Sequence, residues 1–258
     1  MTHKAPVIAA VVATVMALVS CQSRDEIWPQ PIVDEIARTL GGADRILALE
    51  SFTIEGEAQG PITLAERHEA TTGPFVTSHF SQTFQLAARE WSVEHTREAA
   101  DGRPALRRSF GYRGGAAFDT GPDGAPQPNT SEEVRAFRRL AWHLHPLTIT
   151  RAALEGAEQC CGRTFHERIF EIAMDRDAKT TLLVAKTGRL TSIYSDTIPG
   201  GDRLDASFDD YRDVDGWTLP FRIKVRIEVA VASEMGTLRR AGEMAVVVKS
   251  YRMTGAGG

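Results

Sequence analysis

The sequence predicts an α+β protein in which amphipathic helices cover one side of a large curved antiparallel sheet. Two observations carry that prediction. The first is a period-two run: Leu219, Phe221, Ile223, Val225, Ile227, Val229 and Val231 share one face, and Arg222, Lys224, Arg226 and Glu228 the other. The second is a series of strand-like segments separated by Gly, Pro and Asp turns, interrupted by stretches whose apolar residues recur at helical spacing. Composition agrees with a packed core. The chain has 258 residues, 42% apolar and 25% charged, with only 3 cysteines, which excludes collagen-like and disulfide-stapled classes. Thirty basic and 34 acidic residues give a net charge of −4, which argues against a nucleic-acid partner.

Residues 1–20 read as a targeting segment. His3 and Lys4 precede Ala5–Val19, a 15-residue run without charge. As a helix it would reach about 22 Å, short of the ~30 Å hydrocarbon core, so a signal peptide is favoured over a membrane span. Leu18-Val19-Ser20-Cys21 resembles the lipobox of bacterial lipoproteins, in which the cysteine thiol is acylated and becomes the mature N-terminus. Lipidation at Cys21, with palmitate among the acyl groups, is the expectation; an ordinary secreted chain is the alternative. Loss of residues 1–20 removes one Lys and leaves a net charge of −5. Gln22 after the cysteine, by resemblance to known sorting rules, implies the outer membrane, facing the periplasm. Residues 21–30 read as the lipidated cysteine and a polar tether, residues 31–253 as one domain, and residues 254–258 as a tail.

Ile32, Val33, Ile36, Ala37 and Leu40 share one face at helical spacing, and Gly41-Gly42 stop that helix. A short helical piece over residues 44–49 leads into a strand at 51–56. Strand-like segments follow near 61–69, 74–83 and 85–96, with turns at Asp101-Gly102 and Gly114-Gly115, and an exposed loop at 119–130. Thr130-Ser131-Glu132-Glu133 fits a capping box. The helix it opens puts Val134, Phe137, Leu140, Ala141 and Leu144 on one stripe, with Arg135, Arg138 and Arg139 elsewhere, and Pro146 ends it. The stripe has two readings, a plug for the core or a movable lid over an apolar cavity. Residues 163–174, 178–186 and 189–196 read as strands, with a tight turn at Thr187-Gly188 and a looser one at Pro199-Gly200-Gly201. The 13 residues from 219 to 231 would extend about 40 Å, too long for a flat strand in a small sandwich, and a strand over Met244–Met253 closes the sheet.

Motifs of known enzyme chemistry are absent: no G-x-S-x-G, P-loop, G-x-G-x-x-G or H-E-x-x-H occurs. His143 and His145, two apart on a helix, diverge by about 200° and read as helix surface rather than metal ligands. Asp213-Val214-Asp215-Gly216 lacks the flanking carboxylates of a calcium loop and reads as a hairpin turn. Cys160-Cys161 is a candidate redox pair; the thiols pair with each other, with another molecule, or not at all, and a metal site with His166 is the remote alternative.

The strings Leu40-Gly41-Gly42-Ala43-Asp44-Arg45-Ile46-Leu47-Ala48-Leu49-Glu50-Ser51, then Ile54-Glu55-Gly56, resemble the opening of LolA/LolB-like outer-membrane lipoprotein-sorting proteins. Residues 208–221 (FDDYRDVDGWTLPF) are similar to the late hairpin of that family. The resemblance implies an incomplete antiparallel β-barrel whose open side is covered by helices, enclosing an apolar cavity for acyl chains. It therefore implies a non-enzymatic protein, without cofactor or metal, that binds a lipid or the acyl chain of a lipoprotein. Phe52, Ile54, Val134, Phe137, Leu140, Leu144, Leu219, Phe221, Ile223, Val225, Ile227 and Val229 are the candidate cavity residues. A similar module occurs fused to metallo-β-lactamase-fold hydrolases, but the H-x-H-x-D-H motif is absent here. A lipidated Cys21 places this chain nearer the membrane-fixed receptor type, whose exposed apolar loop residue has possible counterparts in Trp28, Trp91 and Trp217. Two alternatives remain: an envelope sensor or scaffold that binds another protein through the same fold, like relatives that restrain an anti-sigma factor, and an undetected hydrolase. A monomer is expected.

Overall fold

The structure, a computed structural model, describes residues 30–60, 77–97, 106–120, 124–156, 158–165, 167–175, 178–198, 202–233 and 236–255. The signal peptide, Cys21, Trp28, His166, residues 61–76 and the turns at 101–102 and 199–201 lie outside the described residues. Helices α1 (Gln30–Leu40) and α2 (Ala43–Ala48) are followed by strands β1 (Ser51–Gln59), β2 (Thr77–Gln85), β3 (Glu90–Arg97), β4 (Leu106–Arg113), β5 (Ala116–Thr120) and β6 (Pro126–Asn129). A crossover then runs through helix α3 (Glu132–Ala141), a single 3-10 turn (Trp142–Leu144) and helix α4 (Pro146–Leu154). Strands β7 (Glu158–Phe165), β8 (Glu167–Asp175), β9 (Ala178–Val184), β10 (Leu190–Ile198), β11 (Asp202–Val214), β12 (Trp217–Ser233) and β13 (Gly236–Thr254) complete the chain.

The described strands form one antiparallel sheet of 13 in the order β6-β5-β4-β3-β2-β1-β13-β12-β11-β10-β9-β8-β7. Two hairpin meanders, β1–β6 and β7–β13, meet where the first strand pairs with the last, Phe52 opposite Met253 and Ile54 opposite Tyr251. The middle of the sequence therefore leaves one edge of the sheet and returns at the other. Flat, β4 and β10 would lie about 34 Å apart, seven strand steps of ~4.8 Å. Helix α3, only about 10–12 Å across, touches both. The sheet is curled, and the crossover lies inside the curl. This is the α+β architecture that the long β12 alternation implied.

Side-chain alternation assigns the faces. Phe52, Ile54, Gly56 and Ala58 of β1 are buried on the concave side, as are Leu219, Phe221, Ile223, Val225 and Ile227 of β12. The convex face is a charge ladder, with Arg222 to Asp209 at 3.7 Å, Arg226 to Glu228 at 2.8 Å and Lys249 to Glu57 at 3.5 Å. Such exposed pairs add little stability and mainly keep that face wet. The edge strand β6, read from sequence as part of an exposed loop, carries Pro126 and Pro128. Proline cannot donate to a ladder, which hides a strand from sequence patterning, but at a sheet edge the missing donor blocks further pairing.

The helices differ from expectation in instructive ways. In α1 the residues of the expected stripe are buried. In α3 the cap is Ser131, whose hydroxyl accepts the Val134 N–H at 3.3 Å, while Asn129 Oδ1 accepts the Ser131 N–H at 3.1 Å; Thr130 is not the cap. Pro146 does not end the helical region. It opens α4 at its first position, where its missing N–H is no loss. Where the sequence suggested one strand at 163–174, two strands, Glu158–Phe165 and Glu167–Asp175, pair antiparallel, with a register shift between Cys160 and Gly162. Asp213–Gly216 ends in a two-residue hairpin loop, Asp215 at φ 52° and Gly216 at φ 77°, between paired Val214 and Trp217.

The β1–β13 pairing slips one residue between Glu55 and Gly56, bringing the Val247 carbonyl oxygen against Gly56. A side chain there would overlap that backbone oxygen at the seam of the two meanders. Gly56→Ala is expected to lower stability by about 1–3 kcal/mol, read as a lower urea midpoint; an unchanged midpoint would contradict this account of the seam.

Candidate functional site

The crossover is fixed to the sheet and to α2 by buried and part-buried polar contacts, and the space they leave is the candidate site. At the α3 end, the Trp91 indole N–H of β3 donates to the Arg138 carbonyl oxygen at 2.8 Å. The Arg138 guanidinium, placed by sequence away from the apolar stripe, is buried instead. It donates to the Phe118 carbonyl, to Asp119 at 2.5 Å and to the Gly111 carbonyl at 3.4 Å, and lies over the Phe110 ring. One arginine thus ties the helix to β4 and β5. At the α4 end, the Arg151 guanidinium donates to the carbonyls of Leu49, at 2.5 Å, and Ile46, at 3.3 Å.

Between these ends sits His145, expected on the helix surface and found wholly buried. The 3-10 turn after α3 breaks the helical rotation and directs the ring inward. Its Nδ1 accepts the Leu147 N–H at 3.2 Å, capping α4, so the proton resides on Nε2. Nε2 faces the Tyr251 hydroxyl at 3.5 Å, and that hydroxyl donates to the Pro220 carbonyl of β12 at 2.5 Å. Phe52 and Phe84 stack at 4.6 Å, and Phe52 lies 4.8 Å from the imidazole. Burial holds the His145 pKa down to about 3, so the imidazole is neutral, and burial pushes the Tyr251 hydroxyl well above its usual value.

A partly enclosed cavity of about 120 Å³ remains between crossover and sheet. Its walls are Ile54 and Ala58 of β1, Phe80, Gln82 and Phe84 of β2, Trp91 and Val93 of β3, Phe110 of β4, Ile223, Val225 and Ile227 of β12, and Met244 and Val246 of β13; Ala141, Leu144 and His145 form the cover. Of the sequence candidates, Ile54, Leu144, Ile223, Val225 and Ile227 meet there. Phe52, Leu219 and Phe221 do not; they are sealed core, because α1 packs on β12 and the aromatic stack closes that end. Val134 is half-buried away from the cavity, and the side chains of Phe137, Leu140, Val229, Cys160 and Cys161 lie outside the described set. Trp91 and Trp217 are not exposed loop residues: Trp91 is cavity wall, and Trp217 is buried beneath the Arg45 guanidinium at 4.4 Å. Sequence patterning overlooked Phe80, Phe84, Trp91 and Val93, although the spacing Phe80-x-Gln82-x-Phe84 carries the period-two signal. Among the described residues no group of three or more His, Cys, Asp or Glu side chains is placed to hold a metal.

No protein-family model matches the sequence, and no curated protein matches it. Solved structures similar to the chain include a LolA superfamily protein from Nitrosomonas europaea, at 14% identity and TM-score 0.49, covering 86% of this chain and 92% of that one. A DUF1329 family protein from Desulfovibrio piger matches at 10% identity and TM-score 0.49, covering 87% and 92%. The MucA/MucB complex structure of Pseudomonas aeruginosa matches at 7% identity and TM-score 0.22, covering 86% and 98%. The likeness is one of fold.

Because folding drives the His145 pKa below its unfolded value near 6.5, the unfolded chain binds the extra proton. Stability from this group is complete above pH ~6.5 and is lost as pH falls toward 3. Urea unfolding at pH 6 and pH 5 is expected to show wild type losing about 1 kcal/mol more than His145→Asn, which keeps a capping group without the titration. Equal losses in the two proteins would contradict a buried neutral imidazole.

Proposed function

We propose that this protein binds an apolar chain, of a lipid or of an acylated protein, between its curled sheet and the helical crossover, and catalyses no reaction. The same reading makes it a lipoprotein anchored through Cys21 in the cell envelope, at the outer membrane facing the periplasm. The observation that carries it is the cavity: except for Gln82 and His145, every described side chain in its wall is apolar. Burying a methylene chain there yields about 0.8 kcal/mol per CH₂ and leaves no polar wall group unsolvated except those two. A volume of about 120 Å³ is near that of an engineered ~150 Å³ apolar cavity known to take up benzene, so it accepts one chain segment rather than a bundle.

The test is native mass spectrometry of the protein expressed in the periplasm, with organic extraction of what co-purifies. A stoichiometric acyl ligand is the expected result. Leu144→Trp fills the cavity from the cover, where Leu144 is only half-buried, and is expected to weaken uptake of a fluorescent fatty acid by roughly tenfold, ~1.4 kcal/mol, with unchanged circular dichroism. A clean apo mass with no uptake would overturn the reading and leave the fold as a platform for an envelope protein partner.

A further inference from the structure

Among the described residues, two polar side chains stand in an otherwise apolar cavity wall, and they differ in what is left of their hydrogen-bonding capacity. Both ring nitrogens of His145 are engaged, Nδ1 by the Leu147 N–H and Nε2 by the Tyr251 hydroxyl. Gln82 is the opposite case. It projects from β2 onto the concave side between Phe80 and Phe84 on its own strand, opposite Ile54 of β1 and Val93 of β3. Its amide makes no hydrogen bond to another described residue. Two N–H donors and a carbonyl acceptor are therefore presented to the cavity from within a ring of four apolar neighbours. Gln82 is half-buried, so in the empty protein water can pair with its amide; an apolar chain that covers it leaves the amide unpaired, whereas a ligand that supplies a carbonyl restores the bond.

We propose that Gln82 is the specificity-determining residue of this cavity, donating its amide N–H to a carbonyl oxygen of the bound chain, so that the site selects acyl esters and amides over plain hydrocarbon. The inference rests on the chain-binding reading above. It also orients the ligand. Gln82 lies next to the aromatic end formed by Phe84 and His145, so the carbonyl sits at that end and the hydrocarbon runs along the strands toward Ala58, Ile227 and Met244.

The experiment compares two probes of equal heavy-atom count, methyl laurate and n-pentadecane, each delivered from cyclodextrin and displacing phenylnaphthylamine from the purified protein. In Gln82→Leu, and in the longer Gln82→Met as a second variant, the preference for ester over alkane is expected to fall about tenfold, with alkane binding retained. A carbon-13 label on the ester carbonyl gives an independent readout: its infrared stretching band is expected at lower wavenumber in wild type than in either variant. An unchanged preference and an unchanged band would overturn the role of Gln82 while leaving chain binding intact. If neither probe displaces the dye from wild type, the chain-binding reading itself fails, and the inference with it.

Discussion

A single line of hydrogen bonds organises the concave side: from the Leu147 N–H to His145, from His145 to Tyr251, and from Tyr251 to the carbonyl of Pro220. It joins the crossover to the last strand and then to its neighbour in the middle of the sheet. Each member needs the others. A protonated imidazole could not accept from Leu147, so burial, which keeps it neutral, also keeps α4 capped. Pro220 stands within a central strand, where proline is rare, next to Asp210 in the left-handed region at φ 54°. At this local irregularity its carbonyl is the acceptor that orients Tyr251.

From that pin the rest of the architecture follows. A crossover tied to β12 and β13 at His145, and to β3, β4 and β5 through Arg138, cannot leave the sheet, and a helix that touches both β4 and β10 requires the sheet to curl around it. Short helices joined by a 3-10 turn fill a curled sheet unevenly. The aromatic stack of Phe52, Phe84 and His145 closes one end, whereas among the described side chains the wall from Phe80 to Met244 faces Ala141 and Leu144, and there the cavity remains. Its apolar lining and the unengaged amide of Gln82 among the described residues both follow from strand alternation on the concave face.

How far the sequence reveals this depends on how locally each feature is determined. The face of β12 and the stripe of α1 are set by residues a few positions apart, so Ile223, Val225, Ile227, Ile32 and Leu40 are legible from spacing alone. The burial of Arg138 and His145 is not, since it depends on carbonyls of β4 and β5 and on a tyrosine 106 residues away. The distinction between Ile54, which lines the cavity, and Phe52, which is sealed, lies in the packing of other helices rather than in strand periodicity. Proline misled twice for the same reason: a lost donor marks an ending in sequence, yet edge strands and first helical positions have no use for that donor.

The crossover leaves an apolar void of about 120 Å³ against the sheet. A crystal structure determined under xenon pressure tests it most directly, because dry apolar cavities take up xenon. Xenon density bounded by Ile54, Val93, Val225 and Leu144 is expected. Side chains filling that space, with no xenon between sheet and crossover, would contradict it.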